Sequence, residues 1–203
     1  MQRTYKGLIV KEVEVGGPQD YSIEDGLMTR TLKTYSNDRI TTLGYRSLYS
    51  YAELEELYLP NVETIGSYAC YGCTSLKKVY IPNASVIETN FLCMATSLKE
   101  ITFDKLIRVN EIVRNCTSLE YIEFKVATSI NGGCFADDAA LKTLIIRTPT
   151  VCTVQSNSFN RSGIALGTGF VYVPDELVDS YKSATNWSVY ATQIKPLSEL
   201  EQG

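Results

Sequence analysis

The 203-residue chain contains no histidine and a single tryptophan. Without imidazole there is no ordinary general base near neutral pH, no commonest metal ligand and no histidine-activated nucleophile, so most hydrolase chemistry is excluded. An excess of charge of one sign is also missing. Nineteen Lys and Arg stand against 23 Asp and Glu, a net charge of −4, and the cations are scattered rather than gathered into the basic stripe that phosphate contacts require. Nucleic acid is therefore not an expected partner. Long apolar runs are absent too. The start, MQRTYKGLIVKEVEVGG, offers only Leu8 to Val10 before Lys11 and Glu12, far short of a signal-peptide core or a membrane span. No membrane insertion is expected. A mature fragment, export by another route, and a cytosolic or virion-associated location all stay open.

What the chain does have is a repeat. Leu54, Leu76, Leu98, Leu119 and Leu141 stand 22, 22, 21 and 22 residues apart, each opening the same phrase. A unit of this size cannot bury an apolar face alone and must stack on its neighbours. Within each unit Leu57, Val79, Ile101, Ile122 and Leu144, followed two residues later by Leu59, Ile81, Phe103, Phe124 and Ile146, alternate with polar residues. Period two marks a half-buried strand. A second inward column, Ile65, Ile87, Val109 and Ile130, precedes turn residues. The pairs Ala69/Cys70, Phe91/Leu92, Ile112/Val113 and Cys134/Phe135 then suit a short helical or 3₁₀ return to the next strand.

Phasing outward extends the array. LKTYSNDRITTLGYRSLYSYAE from Leu32 reads as a degenerate first unit that keeps Leu43, Gly44 and Leu48 but loses its strand, with Ser36 and Asn37 at apolar positions. Upstream, Leu8 and Val10, or Val13 and Val15, alternate with charges and predict a capping strand or hairpin. Downstream, Val171, Tyr172, Val173 and Pro174 repeat Val79, Tyr80, Ile81 and Pro82. DELVDSYKSA then reads as a helix with Asp175 as N-cap and Leu177, Val178 and Tyr181 on one face, and with Trp187 it should close the far end. One continuous domain is expected: an N-terminal cap over 1–31, repeats over 32–163, and a last strand, capping helix and tail over 164–203.

The phrase of Leu, strand, Pro, apolar-Gly, then GCTSL or NCTSL before the next Leu resembles the BspA-like bacterial leucine-rich repeats, and residues 32–203 carry the likeness through a similar C-terminal tail. The resemblance implies a leucine-rich-repeat solenoid: a right-handed superhelix of stacked short parallel strands with short helical or 3₁₀ returns, capped at both ends. It also implies a non-enzymatic adhesion or interaction protein, extracellular or on a cell surface, and it brings no cofactor. Three departures stand out. The asparagine ladder gives way to Val62, Ala84, Leu106 and Ala127; the usual Phe gives way to Leu48, Cys70, Leu92 and Val113; the strand-ending Pro survives only as Pro60, Pro82 and Pro174.

Residual chemistry is thin. Asp137 with Asp138, or Glu55 with Glu56, could serve as paired carboxylates, but adjacent residues on a strand face opposite ways and read as solvated surface acids. Cys70 and Cys73 form a CxxC, a redox or zinc spacing. Both fall in apolar repeat columns, Cys73 in the one shared with Cys116, so they read as buried small residues. Cys73 and Cys116 would lie two layers, about 10 Å, apart, beyond disulfide reach. All six thiols are expected to be free and no metal is expected.

The outward strand residues form rows: Glu55, Lys77, Lys99, Glu120, Lys142; Glu56, Lys78, Glu100, Tyr121, Thr143; and Tyr58, Tyr80, Thr102, Glu123, Ile145. Opposite charges in adjacent layers make a self-neutralising face, with expected pairs including Lys78 with both Glu56 and Glu100. Tyrosine, 14 residues of the chain, gives the face an interface character, because its ring supplies rigid amphipathic contact area. Tyr58, Tyr80 and Tyr121, with Lys78, Glu100 and Glu123, form the candidate binding site for a surface protein or glycan on an expected monomer. The other reading is a structural spacer in a larger assembly such as a prophage-encoded tail particle.

Overall fold

The structure, a computed structural model, describes residues 32–201 together with the strands Arg3–Tyr5 and Leu8–Val10, which pair antiparallel. The rest of the expected N-terminal cap, Val13 and Val15 included, lies outside the described residues. Each coil begins on a short strand. Thr34–Ser36, Glu56–Tyr58 and Lys78–Tyr80 make one parallel sheet; Glu100–Phe103, Tyr121–Phe124, Thr143–Ile146, Phe170–Val173 and Ile194–Pro196 make another. Register follows the repeat. Tyr35, Leu57 and Val79 are opposed in the first sheet, and Ile101, Ile122, Leu144 and Val171 in the second, so every strand turns the same column inward. The chain is a solenoid.

The strand at Thr34–Ser36 corrects the reading of a strandless first unit. Tyr35 occupies the Leu57 column and is buried, and its ring is large enough to fill the space. The second inward column is also a strand ribbon. Thr42–Leu43, Thr64–Ile65 and Val86–Ile87 pair in parallel, as do Arg108–Val109, Ser129–Ile130 and Thr153–Val154. Both ribbons break at one place, between the coils starting at Leu76 and Leu98, where no strand pairing crosses. Val79, beside this seam, is the one residue of its column that stays partly exposed.

Across the seam the returns hold the stack. Each carries bonds from an N–H to the carbonyl three residues back, such as Ala69 to Gly66 (3.3 Å) and Tyr71 to Tyr68 (3.2 Å), and each reaches into the next coil, as Cys70 N–H does to Phe91 (3.0 Å) and Leu92 N–H to Ile112 (2.8 Å). Left-handed residues make this possible by turning successive N–H groups out of the coil. In five returns they come in pairs four apart: Arg46 and Ser50, Tyr68 and Gly72, Asn90 and Met94, Glu111 and Asn115, Gly133 and Asp137. Few of these are the glycines that adopt φ > 0 at no cost.

The interior is a continuous apolar column from Leu32 to Ile194. Aromatic rings form its spine at the C-terminal end: Phe103 stacks on Phe124 (5.3 Å) and Phe135 on Phe159 (5.1 Å), and Phe159 meets Trp187 (5.6 Å). The closing segment differs from expectation in two respects. A 3₁₀ turn, Asp175–Leu177, leads into helix α1 (Val178–Ser183), and Asp175 caps neither. Its Oδ1 accepts the backbone N–H of Ser198 instead (3.1 Å), in the first turn of α2 (Leu197–Glu201), because Pro174 already sets the entry angle of the first turn. The chain also adds a strand, Ile194–Pro196, beyond the last repeat strand. Gly163 is where the final coil closes: a Cβ there would lie 2.1 Å from the Leu141 carbonyl oxygen.

Candidate interaction surface

The strand face is built by alternation. Because Leu57 and Val79 point inward, Tyr58 and Tyr80 must point out one register position later, and the parallel pairing sets them side by side. Their rings stack at 4.7 Å with planes 8° apart, and they are 46% and 48% exposed. Lys78 and Glu100 are exposed beside them. Lys78 Nζ binds Glu56 Oε1 (2.8 Å), parallel to Lys77 with Glu55 (2.7 Å) and, farther along, Lys142 with Glu120 (2.7 Å). The Lys78 ammonium thus turns away from the seam, toward the coil it is hydrogen-bonded to, rather than also to Glu100 beyond it. The Lys77 ammonium beside Glu55, and the Lys142 ammonium beside Glu120, hold these carboxyls below the usual carboxylate range.

Tyr121 and Glu123 are drawn together but not outward. Tyr121 Oη donates to Glu123 Oε2 (2.7 Å), and Arg147 Nε binds Glu123 Oε1 (2.5 Å), leaving Glu123 only 8% exposed. Burial pushes its carboxyl upward, yet the Arg147 and Tyr121 hydrogen bonds hold it below the ordinary value. Ile145, in the same outward row, is 1% exposed. The open part of the face therefore runs over the coils of Tyr58, Tyr80 and Glu100 and closes toward the C-terminus.

A second aromatic group lies on the returns of the first two coils. Tyr49 stacks on Tyr71 (5.3 Å, 5°), Tyr45 meets Tyr68 edge-on (6.3 Å), and the Arg46 guanidinium lies 4.9–5.5 Å from the centroids of Tyr45, Tyr49 and Tyr68. The repeat spacing of these tyrosines was the available signal, since Tyr49 and Tyr71 stand one period apart.

The acidic pair corrects the reading of two solvated carboxylates. Asp137 pairs with Arg161, but Asp138 is fully buried. It takes the column position of Cys73 and Cys116, and its Oδ1 accepts the Cys116 backbone N–H (2.7 Å) while Oδ2 has no partner. Burial raises its pKa to about 9, the Cys116 N–H opposing and the Asp137 charge adding to the rise. The six cysteines are free and buried. The Sγ–H groups of Cys73 and Cys116 donate to the Leu48 and Leu92 carbonyls (3.1 Å each), and burial pushes the Cys93 and Cys152 thiols up to about 12. A thiolate-specific reagent should find no reactive sulfur in the native protein at pH 8 and six in denaturant; prompt native labelling would show that these sulfurs are accessible. Among the described residues no group of three or more His, Cys, Asp or Glu side chains could hold a metal ion, and no helix is long and apolar enough to cross a membrane.

Stacked parallel strands, one apolar column and hydrogen-bonded returns define the class as a leucine-rich-repeat solenoid with few helices. The profile of the BspA type leucine-rich repeat region matches residues 41–165 in six copies. The chain belongs to the BspA-type leucine-rich-repeat family. Among solved structures it is similar to a leucine-rich cell surface protein from Faecalibacterium prausnitzii A2-165, with a TM-score of 0.58 and 19% identity. That likeness covers 66% of this chain and 36% of the other, so the chain spans little more than a third of that protein. No curated protein matches the sequence.

Proposed function

We propose that the chain is a non-catalytic module that binds a protein or glycan through its strand-lined face, as a monomer, in an adhesion-type protein at a bacterial surface. The observation that carries this reading is the Tyr58–Tyr80 stack, two large rings held rigidly half in solvent with Lys78 and Glu100 alongside. Rings ordered before binding lose little entropy on contact, and a ladder pair offers an apolar centre inside a polar rim, the anatomy of a binding patch. Tyr121 and Glu123 support the patch from its closed end, Tyr121 through its hydroxyl bond to Glu123. Surface placement agrees with the named location of the structural relative.

The test starts by isolating a partner from extracellular matrix or mucin and measuring its affinity for the purified chain. The double replacement Tyr58→Ala, Tyr80→Ala should leave thermal unfolding within a few degrees of the parent, since both rings are half exposed, and should weaken that affinity by about 30-fold or more, as loss of an interface hot spot does. Undiminished binding would move the contact off this face.

A further inference from the structure

The coil from Leu98 to Leu119 is one residue short, and the structure shows where the residue is missing. From the second inward column to the first left-handed residue of the return, the count is three in the neighbouring coils: Leu43 to Arg46, Ile65 to Tyr68, Ile87 to Asn90, and Ile130 to Gly133. In the short coil it is two, Val109 to Glu111. The position held elsewhere by Tyr45, Ser67, Thr89 and Gly132 has no counterpart. The surface sinks there into an open notch of about 360 Å³ lined by Thr89, Asn110, Glu111, Asn131, Gly132 and Gln155. This lies at the corner between ribbon and return, beside the seam.

The lining is selective in its chemistry. No aliphatic or aromatic residue lines it, and its apolar surface comes from the stems of polar side chains, so it offers an apolar ligand no wholly apolar wall. Its one charge is the Glu111 carboxylate, paired with Arg114 (2.9 Å), which leaves neither a cation for an anionic ligand nor a free carboxylate for a cationic one. Carboxamides dominate, and their internal bonds fix their directions. Asn131 Nδ2 donates to Asn110 Oδ1, and Gln155 Oε1 accepts the Gly132 N–H (2.9 Å). Each amide has one donor side and one acceptor side, so these bonds leave Asn131 Oδ1, Asn110 Nδ2 and Gln155 Nε2 unused by them, one acceptor and two donors among the lining side chains. Hydroxyl groups on adjacent ring carbons, each able to donate and accept, match such a set.

We infer that the notch is a binding site for one neutral sugar ring, a terminal or internal hexose unit of a glycan. It is separate from the strand face, and it is made by the missing residue of the short coil.

The probes are the methyl glycosides of glucose, galactose, mannose and N-acetylglucosamine, with methyl glucuronide as the charged control, titrated into the isotopically labelled chain. The side-chain amide resonances of Asn110, Asn131 and Gln155 report binding. At least one neutral glycoside should shift these three saturably with a dissociation constant of about 1 mM, as expected for a few hydrogen bonds at an open site. Glucuronide should bind more weakly. Thr89→Arg fills the notch from its exposed rim, and Gln155→Ala removes one donor; each should weaken binding by about tenfold or more, the loss of roughly one ligand hydrogen bond. If one variant fails to fold, the other decides. Absence of shifts with all four neutral glycosides, shifts that survive in the folded variants, or tighter binding of the glucuronide would each overturn the assignment. The Tyr58→Ala, Tyr80→Ala variant should give the same shifts as the parent, so failure here and failure of the strand-face reading are distinguishable.

Discussion

Replacing Trp187 with alanine is expected to cost about 3–5 kcal/mol from lost burial alone, a large share of the ~5–15 kcal/mol that holds most domains together. Trp187 is fully buried at the C-terminal end of the aromatic spine, against Phe159 and Tyr181 (5.3 Å). Its Nε1–H donates to the Cys152 carbonyl (2.6 Å), and the Tyr181 hydroxyl accepts the Cys152 N–H (2.8 Å), so two side chains from the cap satisfy both backbone polar groups of one buried residue. Truncation opens a cavity and orphans a carbonyl at once. Stability in a solenoid is held largely between neighbours, so the damage should begin locally. Hydrogen exchange should show amides of residues 141–194 losing protection first, with those of 54–119 following only at higher denaturant. Trp187→Phe keeps most of the ring and should cost less than half as much. Uniform loss of protection along the whole chain would mean that the coils unfold as one unit.

The second large effect concerns Asp138. Its carboxyl is buried with a pKa raised to about 9, against an ordinary value of 3.8. The folded state therefore keeps a proton that the unfolded chain releases, and stability must fall as pH rises from about 4 toward 9, at up to ~1.4 kcal/mol per pH unit. Below that window both states are protonated and the slope vanishes. Other groups act elsewhere on the scale: the ion-paired Asp137, Glu55 and Glu120 have lowered pKa values and matter in acid, while the buried thiols around Asp138, Cys93, Cys116 and Cys134, matter only above their ordinary value of 9.0. Asp138→Asn retains an acceptor for the Cys116 N–H and cannot ionise. Urea unfolding at pH 5, 6, 7 and 8 should give a falling series for the parent and a nearly flat one for the variant, the variant being the more stable at pH 8. Parallel series would show that Asp138 is solvated.

The inward columns were legible because they repeat: a side chain that returns every 22 residues at period-two spacing can only be a stacked strand. Where a single residue departed from its column, the pattern misled. Ser36 and Asn37 hid a strand that Tyr35 anchors. Asp138 read as a surface acid by its type, although its alignment with Cys73 and Cys116 already placed it inside; position in the repeat outweighed residue chemistry. Ile194–Pro196 gave no alternation to read, and its proline suits an edge strand that needs no donor on its outer side. The left-handed pairs were the least visible, since Arg46, Tyr68, Met94 and Glu111 are not residues that announce φ > 0. In the proposed strand-face patch, the Tyr58–Tyr80 stack followed from the spacing, whereas the withdrawal of Glu123 depended on Arg147, a residue outside the repeated rows.

The break in both ribbons between the Leu76 and Leu98 coils bears on how the chain would respond to load. Strands run across the solenoid axis, so tension on the two ends peels coils apart one after another instead of shearing many bonds together. Yielding should begin at this seam, where the returns and the Lys105–Asn83 side-chain bond bridge neighbouring coils but no strand pairing does. Each freed coil of some 22 residues can pay out about 70 Å of slack, making the array an extensible tether whose first release point is built into its middle.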